Sequence, residues 1–72
     1  MDKEQFLEDL AEILEEDSVN DSDVLADFDA WDSLSILSIL SYASENYKMQ
    51  LKNDDIRSQV TVGDLYNFLE NR

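Results

Sequence analysis

Asp32-Ser33-Leu34-Ser35-Ile36-Leu37-Ser38-Ile39-Leu40 is the stretch around which the rest of the chain is arranged. A polar pair able to cap a helix stands directly before an apolar run, so a helix should begin at Ser33 and continue to about Lys48. Leu34, Ile36, Leu37, Ile39, Leu40, Tyr42, Ala43 and Tyr47 make it apolar over more than half its circumference. Such a helix packs against several neighbours at once, and Leu37 is expected among its core positions. Ser35, Ser38, Ser41 and Ser44 recur every third residue and drift obliquely around the helix. They read either as ordinary helix surface or as a small, nearly uncharged face for close docking.

The elements on either side are helical too. Asp2 to Glu16 places Phe6, Leu7, Leu10, Ile13 and Leu14 in one apolar stripe, with acids mostly on the other faces. Glu15 and Glu16 oppose the helix dipole, so that end should fray and the helix stop there. Asp17 to Trp31 is rich in turn formers, and Val24, Leu25, Phe28 and Trp31 are its candidate pins across the bundle. A short helical turn from Val24 to Phe28 is expected, with Asp23 as its cap. Beyond the central helix, 48–52 alternates like an extended connector with Met49 and Leu51 facing inward. Asn53 or Asp54 can cap one short turn reaching Arg57. A last helix opens at Thr61, whose side chain and that of Asp64 have the spacing of a capping box. Val62, Leu65, Phe68 and Leu69 supply its inner face. The expected fold is all-α, a small four-helix bundle of three main helices and one short one, with a long first loop, in a single domain spanning 1–72.

Composition narrows the chemistry. A 72-residue domain buries a modest share of its surface, and without cysteine or histidine it has neither disulfides nor the common zinc sites, so packed helices must stabilise it. A formal net charge of −13 argues against nucleic acid and anionic membranes as partners. It suits either basic protein partners or simple solubility. Met1-Asp2-Lys3-Glu4 has no apolar signal region and no stretch can span a bilayer, so a cytoplasmic location without membrane insertion is expected; the chain is also expected to be a monomer. The acidic loop does not fit a calcium-binding EF-hand: counting from Asp17, Val19, Ser22 and Phe28 fall where ligands, glycine and glutamate are needed.

Catalysis by the chain itself is not expected, because the usual general base and the best nucleophile, His and Cys, are both missing. Ser33 stands out by position. At the first turn of a helix its oxygen faces unpaired backbone N–H groups, which could equally stabilise a phosphodiester placed on it. The plain alternative is that Asp32 or Ser33 merely caps the helix.

The order of these pieces resembles the acyl carrier protein family. Asp32-Ser33-Leu34 opens an apolar second helix after a long loop, a short helix lies near Asp54 to Arg57, and Thr61-Val62-Gly63-Asp64-Leu65 opens the last helix. The resemblance implies that Ser33 carries 4′-phosphopantetheine, transferred from coenzyme A by a phosphopantetheinyl transferase, with Asp32 and Leu34 beside it. The thiol of that arm would hold acyl or aminoacyl intermediates as thioesters, supplied by a loading ligase and passed to an acyltransferase or synthase. Trp31, Ser35, Ser38 and Ile56 are the candidate partner-binding residues. Leu34 and Ile56 are either the apolar lip along which the arm lies or plain core. Departures from the family pattern are Ala30, where glycine is common, and Ser35 and Ser38, where fatty-acid-synthesis carriers are frequently acidic. They point towards a specialised pathway such as polysaccharide modification, a polyketide-like route or aminoacyl transfer. The alternative function is a non-catalytic acidic interaction module that keeps this fold and never receives the arm.

Overall fold

Four α-helices enclose the core in the computed structural model, which describes residues 2–71: α1 Lys3–Ile13, α2 Ser33–Tyr47, α3 Asn53–Arg57 and α4 Val62–Glu70. The fold is the expected all-α bundle of three main helices and one short one. Among the described residues no helix is long and apolar enough to cross a membrane.

α1 begins where Asp2 accepts the Glu4 N–H, an acidic cap at the positive end of the helix. It ends at Ile13 rather than near Glu16. Leu14 is drawn into the core and Glu15 takes a left-handed conformation (φ 58°), which turns the chain out of the helix. Phe6, Leu10 and Ala11 supply its buried face.

α2 packs against α1, α3 and α4, as its apolar breadth requires. Its phase differs from the one expected. Ile36, Ile39 and Ala43 point inward, and with about 100° per residue this turns Leu34 and Leu37 to the far side. Leu37 is 54% exposed and Leu34 73% exposed, so neither is a core residue. The helix closes on Lys48 in the left-handed region (φ 58°), whose N–H donates to the Ala43 carbonyl. Met49 and Leu51 in the following connector pack against the core, as their alternation suggests. α3 is not capped by Asn53 or Asp54. Asn53 is already helical, and the Asp55 carboxylate reaches back to the Lys52 N–H at 2.9 Å. Ile56 is the buried residue of this short helix.

The long loop is held chiefly by backbone pairing with the start of α4. The Leu25 N–H donates to the Val60 carbonyl, Val62 N–H to Asp23, and Gly63 N–H to Asp21, at 2.9–3.0 Å. A Cβ on Gly63 would lie 3.3 Å from the Asp21 oxygen, so the missing side chain lets α4 start against the loop. Val24 is exposed and contributes its backbone to an isolated bridge with Thr61, while Val19 and Leu25 are the buried pins. Phe28 and Trp31 are half-buried against the core. Only Leu25–Asp27 forms a helical turn, of the 3-10 type. Asp23 does not cap it, because its carboxylate accepts the Asn20 N–H at 2.8 Å. At α4 the capping box is as expected: Asp64 N–H donates to Thr61 Oγ1 at 3.1 Å and Thr61 N–H to the Asp64 carboxylate at 3.2 Å. Val62, Leu65 and Leu69 are buried and Phe68 half-buried.

Phe6 joins this core to an aromatic group, with Tyr66 and Tyr42 rings 5.2 and 6.2 Å away. The Tyr42 hydroxyl donates to Asp9 Oδ2 at 2.8 Å, tying α2 to α1. Burial first, then that carboxylate, raises the Tyr42 phenol above its usual range. Tyr47 is raised by burial and then by the Glu70 carboxylate.

Two predictions follow from this packing. Ile39→Ala should cost about 2–5 kcal/mol in chemical denaturation, whereas Leu37→Ala should stay within about 0.5 kcal/mol of wild type. A large loss at Leu37 would mean that α2 is rotated relative to this arrangement. For the tyrosines, phenols kept protonated by the fold ionise more readily on unfolding. Their contribution is therefore intact below about pH 10, the ordinary phenol value, and declines above it. Stability measured from pH 8 to 11.5 should fall less steeply in Tyr42→Phe/Tyr47→Phe than in wild type, and equal slopes would contradict the shifted phenols.

Candidate functional site

The start of α2 is organised by Asp32 and Ser35. Asp32 is extended, its Oδ1 accepts the Ser35 N–H at 3.0 Å, and its own N–H donates to Ser35 Oγ at 3.0 Å. The Ser35 hydroxyl also donates to the Asp32 carbonyl. These bonds serve backbone groups that the first helical turn leaves without intrahelical partners. They also separate two roles that the sequence left open: Asp32 is the cap, and Ser33 is not.

Ser33 is the first residue of α2 and is exposed. No hydrogen bond among the described residues involves its hydroxyl. Leu34 follows with most of its side chain in solvent. Trp31 is half-buried against the core, and its backbone N–H donates to the Phe28 carbonyl at 3.1 Å. Ser38 is exposed one turn further along.

Two expected contact residues do not reach the surface. Ser35 is 6% exposed because its hydroxyl is committed to the Asp32 cap. Ile56 is fully buried: α3 is only five residues long and packs its apolar side chain against α2. Of the pair considered as an apolar lip, Leu34 is therefore at the surface and Ile56 is core.

Beside Ser33 lies an open groove bounded by Leu34 and Ser38 of α2, Ile13 at the end of α1, and Ala30 of the loop. Glu15, Glu16, Asp29 and Asp32 surround it, and no Lys or Arg lines it. Its field is negative and its floor partly apolar. No group of His, Cys, Asp or Glu among the described residues is arranged to hold a metal ion. With no histidine or cysteine in the sequence, no imidazole or thiolate stands ready to take a proton from Ser33.

Comparison with protein-family models, with curated proteins and with solved structures returned no match. The site must be read from its own geometry.

A covalent phosphodiester fits that geometry in three respects. Ser33 is exposed, the loss of its hydroxyl to esterification breaks no cap, and the adjoining groove has a partly apolar floor against which a flexible arm can rest. The Ser35 N–H is already taken by Asp32, so the donors left in the first turn are those nearer the helix start.

The role of Ser35 had a legible signal. Asp32 and Ser35 have the same three-residue separation as Thr61 and Asp64, and a serine can close such a box as an acid does. The exposure of Leu34 and Leu37 had none, because an apolar residue in an apolar run carries no mark of its direction.

Replacing the cap tests this arrangement. Asp32→Ala should lower stability by about 1 kcal/mol, and Asp32→Asn should retain most of it, since either side-chain oxygen can accept the Ser35 N–H. Urea titration of both variants measures the difference, and an unchanged midpoint in Asp32→Ala would show that the box does not hold the helix start.

Proposed function

We propose that this chain is a carrier protein that receives 4′-phosphopantetheine on Ser33 and presents acyl or aminoacyl thioesters to partner enzymes. The observation that carries the reading is that Ser33 is exposed at the head of the central helix while Asp32 and Ser35 do the capping. A serine with no structural task, at this place in an Asp-Ser-Leu sequence, is what the resemblance to acyl carrier proteins leads one to look for. The order of the other elements, with the short α3 and the Thr61 box opening α4, supports the same reading.

In this function the prosthetic group supplies the thiol that the chain lacks. The residues of the chain supply a stage. Asp32 and Ser35 fix the direction in which α2 starts, and so leave Ser33 exposed at its head. Trp31 and Leu34 flank that residue in sequence, one half-buried and one in solvent, and offer apolar surface to the arm and to whatever enzyme approaches. The chain offers Ser33 no imidazole or thiolate base, so a phosphopantetheinyl transferase must take the hydroxyl proton as the phosphodiester forms. A loading ligase and a downstream acyltransferase or synthase complete the set of partners. Ser35 and Ser38, in place of acids, favour enzymes of a specialised pathway over those of housekeeping fatty acid synthesis.

Intact mass after incubation with coenzyme A, magnesium and a broad-specificity phosphopantetheinyl transferase tests the proposal. Wild type should gain one phosphopantetheine and Ser33→Ala none. The variant should keep its thermal midpoint closely, because its hydroxyl caps nothing. No gain in wild type with several transferases would favour an acidic interaction module instead, and a gain surviving Ser33→Ala would place the attachment elsewhere.

A further inference from the structure

The inward positions around α2 are filled. Ile36 and Ile39 of α2, Ile56 of α3 and Leu65 of α4 are at most 1% exposed, and Ala43 between them is wholly buried. They belong to one core cluster, so branched aliphatic side chains meet there from three helices. Packing of this kind leaves few voids larger than a water molecule.

The surface near Ser33 offers an alkyl chain little more. The groove beside it bottoms on Leu14 and Ser35, which are themselves buried, so it ends there instead of leading into the core. Its rim carries Glu15, Glu16, Asp29 and Asp32, carboxylates that keep their water. Further along α2, Leu40, Met49 and Leu51 line an open depression beside the connector and are packed against the core. A chain entering there must displace them.

These observations bear on what the Ser33 site carries, and the inference rests on the carrier reading. A long alkyl chain held as a thioester is stabilised only if the protein takes it out of water, and the need grows with each methylene. A group of few carbons, or one with a polar end, has no such need. We propose that the cargo of this chain is a short acyl or aminoacyl group that stays outside the helical bundle. Ile36, Ile39, Ile56 and Leu65 occupy the interior that a long acyl chain would require.

The test loads the full chain with acetyl-, butanoyl- and octanoyl-coenzyme A through broad-specificity phosphopantetheinyl transferases, and intact mass verifies each product. The three loaded forms should melt within about 1 °C of one another. Methyl NMR signals of Ile36, Ile39, Ile56 and Leu65 should coincide in all three. The octanoyl form alone should be retained on a hydrophobic resin, because its chain is in solvent. A melting point that climbs with chain length, by about 4 °C or more for octanoyl, together with shifted Ile39 and Ile56 methyls, would put the chain inside the bundle. That result overturns the inference and leaves the carrier reading intact. Octanoyl contacts confined to Leu34 and Leu37 would reveal a surface shelter and overturn it as well. No product from any donor would remove the carrier reading and this inference with it. Ile56→Ala supplies the converse, since an apolar cavity can take an apolar ligand. Its octanoyl form should melt above its acetyl form, and coincident melting there would mean that packing is not what excludes the chain. The wild-type series decides the matter if that variant does not fold.

Discussion

The rotation of α2 about its own axis is the constraint on which the other features depend. Ile36, Ile39 and Ala43 turn inward against α1, α3 and α4, and the reciprocal hydrogen bonds between Asp32 and Ser35 fix where that helix starts. Once start and phase are set, the remaining directions follow from about 100° per residue. Ser33 and Leu34 emerge at the head of the helix, Leu37 emerges one turn on, and Ser35 is carried inside. A capping box here therefore does more than terminate a helix. It takes the hydrogen-bonding work that a lone serine at the first turn would otherwise do, and so leaves a hydroxyl exposed.

The long loop shows how a small core is completed without a large apolar contribution. Few of its side chains are buried, Val19 and Leu25 among them, yet it is joined to the start of α4 by three backbone hydrogen bonds and to α1 by the ion pair between Lys3 and Asp21. Backbone groups in a connection must find partners wherever water is excluded. Here the residues just before and within the first turn of α4 supply them, and Gly63 allows the close approach. The Lys3 ammonium also lies 5.4 Å from the Tyr66 ring centre, so one side chain links α1 to the loop and to α4.

Charge and shape are separated along the chain. A net charge of −13 invites the reading that acidity everywhere is solubility, and over most of the surface nothing more is required. In the open depression lined by Ile13, Leu34, Leu37, Ser38, Ser41 and Glu45, exposed leucines and small serines stand beside the acid. The serine series that drifts around α2 in sequence is divided by the same rotation. Ser35 is inside as part of a cap, whereas Ser38 and Ser41 line that depression.

Much of the fold is legible in the residues themselves. The helical stripe of Phe6, Leu10 and Leu14, the breadth of α2, the Thr61–Asp64 box and the inward alternation of Met49 and Leu51 are local patterns, and local patterns carry their own periodicity. Ser33 could be singled out for the same reason, since its place at a helix start is written in the neighbouring residues. What the sequence alone could not decide was direction within an apolar helix. Leu37 and Ile39 are equivalent as letters, and so are Leu34 and Ile56 as candidate lips. Only the packing of α2 against three neighbours separates them, because a helix apolar over more than half its circumference has several acceptable rotations until its partners select one. Loop pairing lay beyond the sequence for a related reason: the partners of Asp21 and Asp23 are backbone groups some forty residues away, and backbone groups leave no mark in residue type. Tertiary contact decided which leucines face water and which serine is left exposed at the head of the helix.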